Sequence, residues 1–220
     1  LNARPRRAAG GRRVAACVLV ALPGFAFAAQ VTVAVRDAQG AAIQDAVVWL
    51  DSSPARAGKS AAKPAEIGQV SREFDPFVTV VGTGTRVVFP NHDKVKHHVY
   101  SFSPAKSFEI QLYSGTPTEP IVFDKAGVVV IGCNIHDWML AYVVVLDSPW
   151  FAKSTANGRA QLANLPAGRY TLHLWHPYQK AAVAAREIEL VNAQASSELS
   201  AQLELAPPPL KPRRAAGDSY

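Results

Sequence analysis

From residue 70 to 146 the chain repeats one pattern, a short apolar run followed by a turn signal. The runs are 77–81 (FVTVV), 85–89 (TRVVF), 97–102 (HHVYSF), 107–112 (SFEIQL), 120–123, 127–132 (GVVVIG) and 140–146 (LAYVVVL). Between them stand turn formers such as Gly82-Thr83-Gly84, Pro90-Asn91-His92-Asp93 and Gly115-Thr116-Pro117. Runs this short have strand length, and turn residues this frequent make the chain reverse after each one. Such strands bury their apolar faces by packing sheet on sheet, so the predicted class is an all-β sandwich. No helical periodicity stands out, and only 180–190 is ambiguous.

The same signals continue on both sides. Residues 31–36 (VTVAVR) alternate, Asp37 to Gly40 reads as a turn, and 46–50 (AVVWL) as a second strand. After 147 come the turn Ala156-Asn157-Gly158 and the runs 159–162, 169–175 (RYTLHLW), 182–190 and 198–205 (ELSAQLEL). This divides the chain into a first β region (29–53), a linker (54–69), a middle domain (70–147), a second β region (148–205) and a tail (206–220). The linker is rich in Ala, Ser, Pro and Lys and lacks periodicity. The tail carries three consecutive prolines with Lys211, Arg213 and Arg214, and is expected to be disordered. Two arrangements are open. Both flanks build one small sandwich that the middle domain interrupts, or the units stand in tandem with 31–51 pairing onto the middle.

Charge enters the argument at the N-terminal side. Arg4, Arg6, Arg7, Arg12 and Arg13 precede an apolar run from Val14 to Ala28 that ends Ala26-Phe27-Ala28. A basic stretch, a short apolar stretch and an A-x-A ending read as a secretory signal peptide over 1–28. A membrane anchor is the alternative, but the run is short for a bilayer and Pro23-Gly24 interrupts it. The formal net charge of +6 raises nucleic acid or anionic lipid as a partner. Removing 1–28 takes five of the 23 basic residues and none of the 17 acids, leaving 18 cations against 17 anions. Neither nucleic acid nor stable membrane insertion is then expected, and the location is periplasmic or secreted. Cys17 goes with the signal. Cys133 is left alone in an oxidising compartment, where a thiol needs burial, a partner chain or a metal.

The sequence places that thiol in Cys133-Asn134-Ile135-His136-Asp137-Trp138-Met139, between two predicted strands. Upstream lies Asn91-His92-Asp93-Lys94-Val95-Lys96-His97-His98. Thiolate, imidazole and thioether suit copper far better than magnesium or calcium. Two histidine nitrogens and a cysteine sulfur with a weak axial methionine describe a blue-copper centre that cycles between Cu(II) and Cu(I). Each residue alone has a plainer role: Cys133 as a small buried apolar group, Met139 as a gap filler, His136 on the surface. Their coincidence in one short loop favours ligation. Zinc accepts the same nitrogen and sulfur donors, and Met139 argues against it. Of the other histidines, His92 reads as a solvated turn residue. His173 and His176 fall on opposite strand faces, in surface and packing roles. Trp138 is either a docking rim or loop packing.

On these residues the middle segment, 70–147, resembles the cupredoxin family, the plastocyanin and amicyanin group of blue-copper electron carriers. The C-x-x-H-x-x-M spacing matches the short amicyanin form. Lys96-His97-His98-Val99 stands where such chains carry Pro-His-Asn-Val. The resemblance implies one copper ion held by His97, Cys133, His136 and Met139, with a Greek-key sandwich around it. His98 replaces the family's asparagine and is the alternative to His97, since a one-residue slip reverses the faces. Asp137 replaces a proline and puts a negative charge beside the ligand loop. The flanks resemble the carboxypeptidase-regulatory-like sandwich through Val31–Leu50, Ala156–Leu162 and Asn164–Tyr170. The whole is similar to exported methylamine utilisation or plastocyanin-like proteins.

The implied function is transfer of single electrons between periplasmic redox partners, such as a c-type cytochrome or a dehydrogenase. A copper-delivery protein and a metal-free β-sandwich binding module are the alternatives. No enzyme activity is expected, because four protein ligands leave a metal no open position for substrate.

Overall fold

The computed structural model describes residues 29–53, 63–191 and 196–208. The expected signal peptide at 1–28, positions 54–62 of the linker and the tail from 209 lie outside the described residues. The described residues form strands, turns and loops and no helix, so the all-β class holds. None of them forms a helix long and apolar enough to cross a membrane.

In chain order the strands are β1 (Ala29–Arg36), β2 (Val47–Ser53), β3 (Ala65–Glu66), β4 (Gly68–Val70), β5 (Glu73–Asp75), β6 (Val78–Gly82), β7 (Thr85–Val88), β8 (His97–Ser103), β9 (Lys106–Tyr113), β10 (Ile121–Phe123), β11 (Gly127–Gly132), β12 (Leu140–Leu146), β13 (Trp150–Lys153), β14 (Arg159–Leu165), β15 (Gly168–Trp175), β16 (Arg186–Leu190) and β17 (Ser196–Gln202). The middle segment builds a five-stranded sheet, β6-β12-β11-β8-β9, a three-stranded sheet, β10-β7-β3, and the small hairpin β4-β5. The two sheets face each other across Val87, Phe89 and Phe123 on one side and Val99, Val129, Ile131, Val143 and Val145 on the other.

The flanking strands make two further sheets, β14-β1-β17 and β13-β2-β15-β16. β2 pairs antiparallel with both β13 and β15, and β1 lies between antiparallel β14 and parallel β17. Strands before and after the middle segment therefore share one core, with Val31, Val33, Val48 and Leu50 packed on Leu162, Leu165, Tyr170 and Leu172. Gly158 closes the turn before β14. Its φ is 76°, and a Cβ there would lie 2.5 Å from the Val35 carbonyl oxygen, so only glycine fits.

β12 joins the two units. Its run LAYVVVL is apolar on both faces because both faces are covered. Val143 and Val145 enter the middle core, while Val144 and Leu146 pack with Val47 and Val78 beside Trp49, Phe77 and Trp175. Lys153 Nζ reaches across to the Val78 carbonyl at 2.8 Å and pairs with Asp45 at 2.7 Å.

Four boundaries differ from the sequence expectation. Residues 65–69, read as linker, carry strand instead. β3 pairs with β7 and β4 with β5, and Ile67 is fully buried. Strands of two and three residues are too short for alternation to show. The ambiguous 180–190 stretch is the strand β16 from Arg186 on, and the last strand starts at Ser196, two residues before the expected 198. Ala206, assigned to the tail, donates its amide to the Tyr178 carbonyl at 2.8 Å.

Candidate metal centre

β11 ends at Gly132 and β12 begins at Leu140, so the candidate loop bridges two neighbouring antiparallel strands. Two turns fill it, at Asn134-Ile135 and Asp137-Trp138. The Met139 amide donates to the His136 carbonyl at 2.9 Å and closes the second. This winds the chain around the Cys133 sulfur, which accepts hydrogen bonds from the amides of Ile135 and His136. A third amide, that of His98, comes from β8. Cys133 is a free thiol and is 4% exposed.

His97 opens β8 and is fully buried. Its Nδ1 lies 3.2 Å from His136 Nδ1, and Cys133 Sγ lies 3.7 Å from the same atom. The donor atoms of His97, Cys133 and His136 all fall within 4.8 Å of one another. Two donors on one ion, each about 2.0–2.3 Å from it, lie roughly 3.3–3.8 Å apart at angles between tetrahedral and trigonal. The two measured separations fall at or near that range, so this thiol and these two imidazoles fit a single soft or borderline metal ion. Met139 is 2% exposed and packs in the same core cluster as Cys133.

His98 is not part of the set. Strand alternation turns it to the other face of β8, where its Nε2 lies 2.7 Å from Glu109 Oε1. Its ring packs 5.6 Å from that of Tyr100. Tyr100 in turn lies over Gly132, where a Cβ would stand 3.0 Å from the ring. The residue before Cys133 is thus small because an aromatic ring covers it.

The electrostatics follow from the packing. Burial pushes the Cys133 thiol up, but the His97 ring and the three amides at the sulfur outweigh it and hold the thiol below its ordinary range. Burial pulls His97 down, yet its bonds to Cys133 and Asp93 and their charges hold it above the usual imidazole value. His136 is lowered, first by burial and then by the positive charges of His97 and Arg72.

Asp93 was legible in the sequence only as part of a turn. Its Oδ2 lies 2.8 Å from His97 Nε2, and its two oxygens also accept the amides of Ser71 and Arg72 at 2.7 and 2.8 Å. Burial would raise its pKa, but the Arg72 amide, His97 and the Ser71 amide together lower it. Ser71 and Arg72 form the turn between β4 and β5, with φ of 55° and 60°. Such a two-residue turn normally calls for Gly or Asn, and here the carboxylate bonds offset the cost. Trp138 Nε1 donates to the Arg72 carbonyl at 3.1 Å. One hairpin turn therefore braces both segments that carry the candidate donors. The sequence clue to Asp93 was its place four residues before His97. Nothing local marked Ser71-Arg72.

The remaining histidines stand elsewhere. His92 is exposed, 3.8 Å from Glu66. His173 stacks on Trp49 at 4.9 Å and faces Asp51 at 3.1 Å, while His176 is buried and its Nδ1 accepts the Tyr178 amide.

No family model and no curated protein matches the chain. Solved structures similar to it include a novel purple cupredoxin from Nitrosopumilus maritimus, with 23% identity and a TM-score of 0.33, over 37% of this chain and 99% of that one. Amicyanin from Paracoccus versutus is similar at 16% identity and a TM-score of 0.33, over 44% of this chain and 97% of that one. A copper-containing nitrite reductase from Thermus scotoductus is similar at 24% identity and a TM-score of 0.36. There the match covers 44% of this chain and only 26% of the enzyme. At such scores these neighbours carry no assignment of chemistry, which rests on the donor set itself.

Proposed function

We propose that this chain is an exported copper protein of the cupredoxin kind that carries single electrons between periplasmic redox partners, and that it is not an enzyme. The convergence of His97 Nδ1, His136 Nδ1 and Cys133 Sγ carries this reading. Copper bound there would supply one-electron chemistry between Cu(II) and Cu(I).

The chain's own residues prepare the site. Asp93 accepts the Nε2–H of His97, which leaves the Nδ1 lone pair facing the cluster. Amides of His98, Ile135 and His136 stabilise a thiolate at Cys133 before any cation arrives. The thiolate is buried with Met139, which limits oxidation and water. Met139, buried in the same core cluster, would add a thioether to the set that holds the copper. His136 is the half-buried member of the set and gives electrons a short way out. Partners of this reading are a c-type cytochrome or a periplasmic dehydrogenase.

The test is metal analysis with a visible spectrum of the protein loaded with Cu(II). One copper per chain and an intense visible band, lost in Cys133→Ala, are expected. A colourless copper form with a weak spectrum would refute the reading. Copper that transfers readily to an acceptor but exchanges no electron with a cytochrome would make the protein a delivery factor. A chain that holds only zinc, or no metal, would leave a zinc site or a β-sandwich binding module.

A further inference from the structure

A hollow of about 610 Å³ opens beside His136, walled by Arg72, Lys94, Lys96, Leu112 and Ile135. Lys94 and Lys96 are exposed, and among the described residues neither pairs with a carboxylate. Elsewhere Lys106, Lys153, Lys180 and Arg159 pair with Asp124, Asp45, Glu204 and Glu198, while Lys125 bonds only the Pro104 carbonyl. Leu112 and Ile135 are each 49% exposed, so apolar surface shares the wall with the cations. No carboxylate lines the hollow. Asp93 lines the adjoining hollow with Arg72 and Lys94, its oxygens already bonded to His97, Ser71 and Arg72, and Asp137 is exposed on the loop but outside the wall.

From this we infer that the hollow is a docking face for an acidic protein surface, which it brings against His136. The inference rests on the copper electron-carrier reading. Three cations beside exposed apolar side chains supply both parts of a small interface, apolar contact and a charged rim. Electron-transfer encounters are small and weak, and charge mainly sets their rate and orientation. A free small anion would use the lysines but would leave Leu112 and Ile135 in water. A nucleic acid would call for stacking aromatics along a basic groove, and the wall holds none besides the His136 ring.

The experiment uses the copper-loaded protein and two c-type cytochromes of similar potential, one acidic and one basic. In each turnover one electron reduces ferric haem to ferrous as Cu(I) becomes Cu(II), and no bond forms or breaks. The acidic cytochrome should react faster, with its rate falling about tenfold from low to physiological salt. Amide shifts of the reduced protein on adding it should centre on Lys94, Lys96, Leu112 and Ile135. Lys94→Glu should remove the preference while the visible band persists. Asp137→Asn should raise the acidic cytochrome's rate. Equal rates for both cytochromes with no salt dependence would overturn the docking face and leave the copper reading intact. Shifts at this face without electron exchange would keep the face and overturn the copper reading. The same shifts at equal affinity from a single-stranded oligonucleotide would overturn the choice of an acidic protein.

Discussion

Asp93 Oδ2 lies 2.8 Å from His97 Nε2, and the same carboxylate accepts the amides of Ser71 and Arg72. Arg72 in turn receives the Trp138 indole. The candidate site is therefore braced from a hairpin that contributes no ligand. The strand carrying His97 and the loop carrying Cys133 and His136 are separate in sequence and meet through this turn as well as through the sheet.

Asp93→Asn tests the bracing of His97. The amide keeps an acceptor but loses the carboxylate charge that, after the Cys133 sulfur, holds the imidazole above its ordinary value. Metal affinity at neutral pH should fall about 10- to 100-fold, the usual cost of removing an orienting partner behind a ligating histidine. The sign for pH follows from proton competition. A raised His97 pKa keeps the ring protonated to higher pH, so metal uptake by the native protein begins only as that proton leaves. In the variant the uptake midpoint should move to lower pH. Competition titrations with a chromogenic chelator across pH read both effects.

Trp138→Phe keeps the ring and removes the bond to the Arg72 carbonyl. A loss of about 0.5–1.5 kcal/mol is expected by urea denaturation of the metal-free protein. The loaded protein should release metal faster to a chelator, because the loop is held less firmly. Unchanged release with the stability loss would confine Trp138 to packing.

His97→Ala and His98→Ala separate the two neighbours. His97 belongs to the donor cluster and His98 faces Glu109. Only His97→Ala should abolish the intense visible band. His98→Ala should keep it, with some loss of stability from the emptied, nearly buried position.

Met139→Leu keeps nearly the same volume in a buried position, so the stability cost should stay below about 1.5 kcal/mol. The copper band should persist, and the reduction potential should rise, because loss of a donor sulfur disfavours Cu(II) more than Cu(I). Voltammetry of the loaded variant checks the shift.

The sequence by itself determined the all-β class, because alternating runs of strand length leave their apolar faces no partner but another sheet. It also determined the donor types: a single cysteine outside the N-terminal segment, with His136 and Met139 at a loop's reach. Tertiary structure decided which of His97 and His98 faces Cys133. Both fit the motif, and only the register of β8 shows which ring turns toward Cys133. It also decided that β1 pairs with β14 and β17 and β2 with β13 and β15, since pairing between strands about a hundred residues or more apart leaves no local trace. The brace at Ser71-Arg72 and the unpaired lysines beside His136 belong to the same class. Each depends on which segments meet in space, and charge or turn type read along the chain carries no record of that meeting.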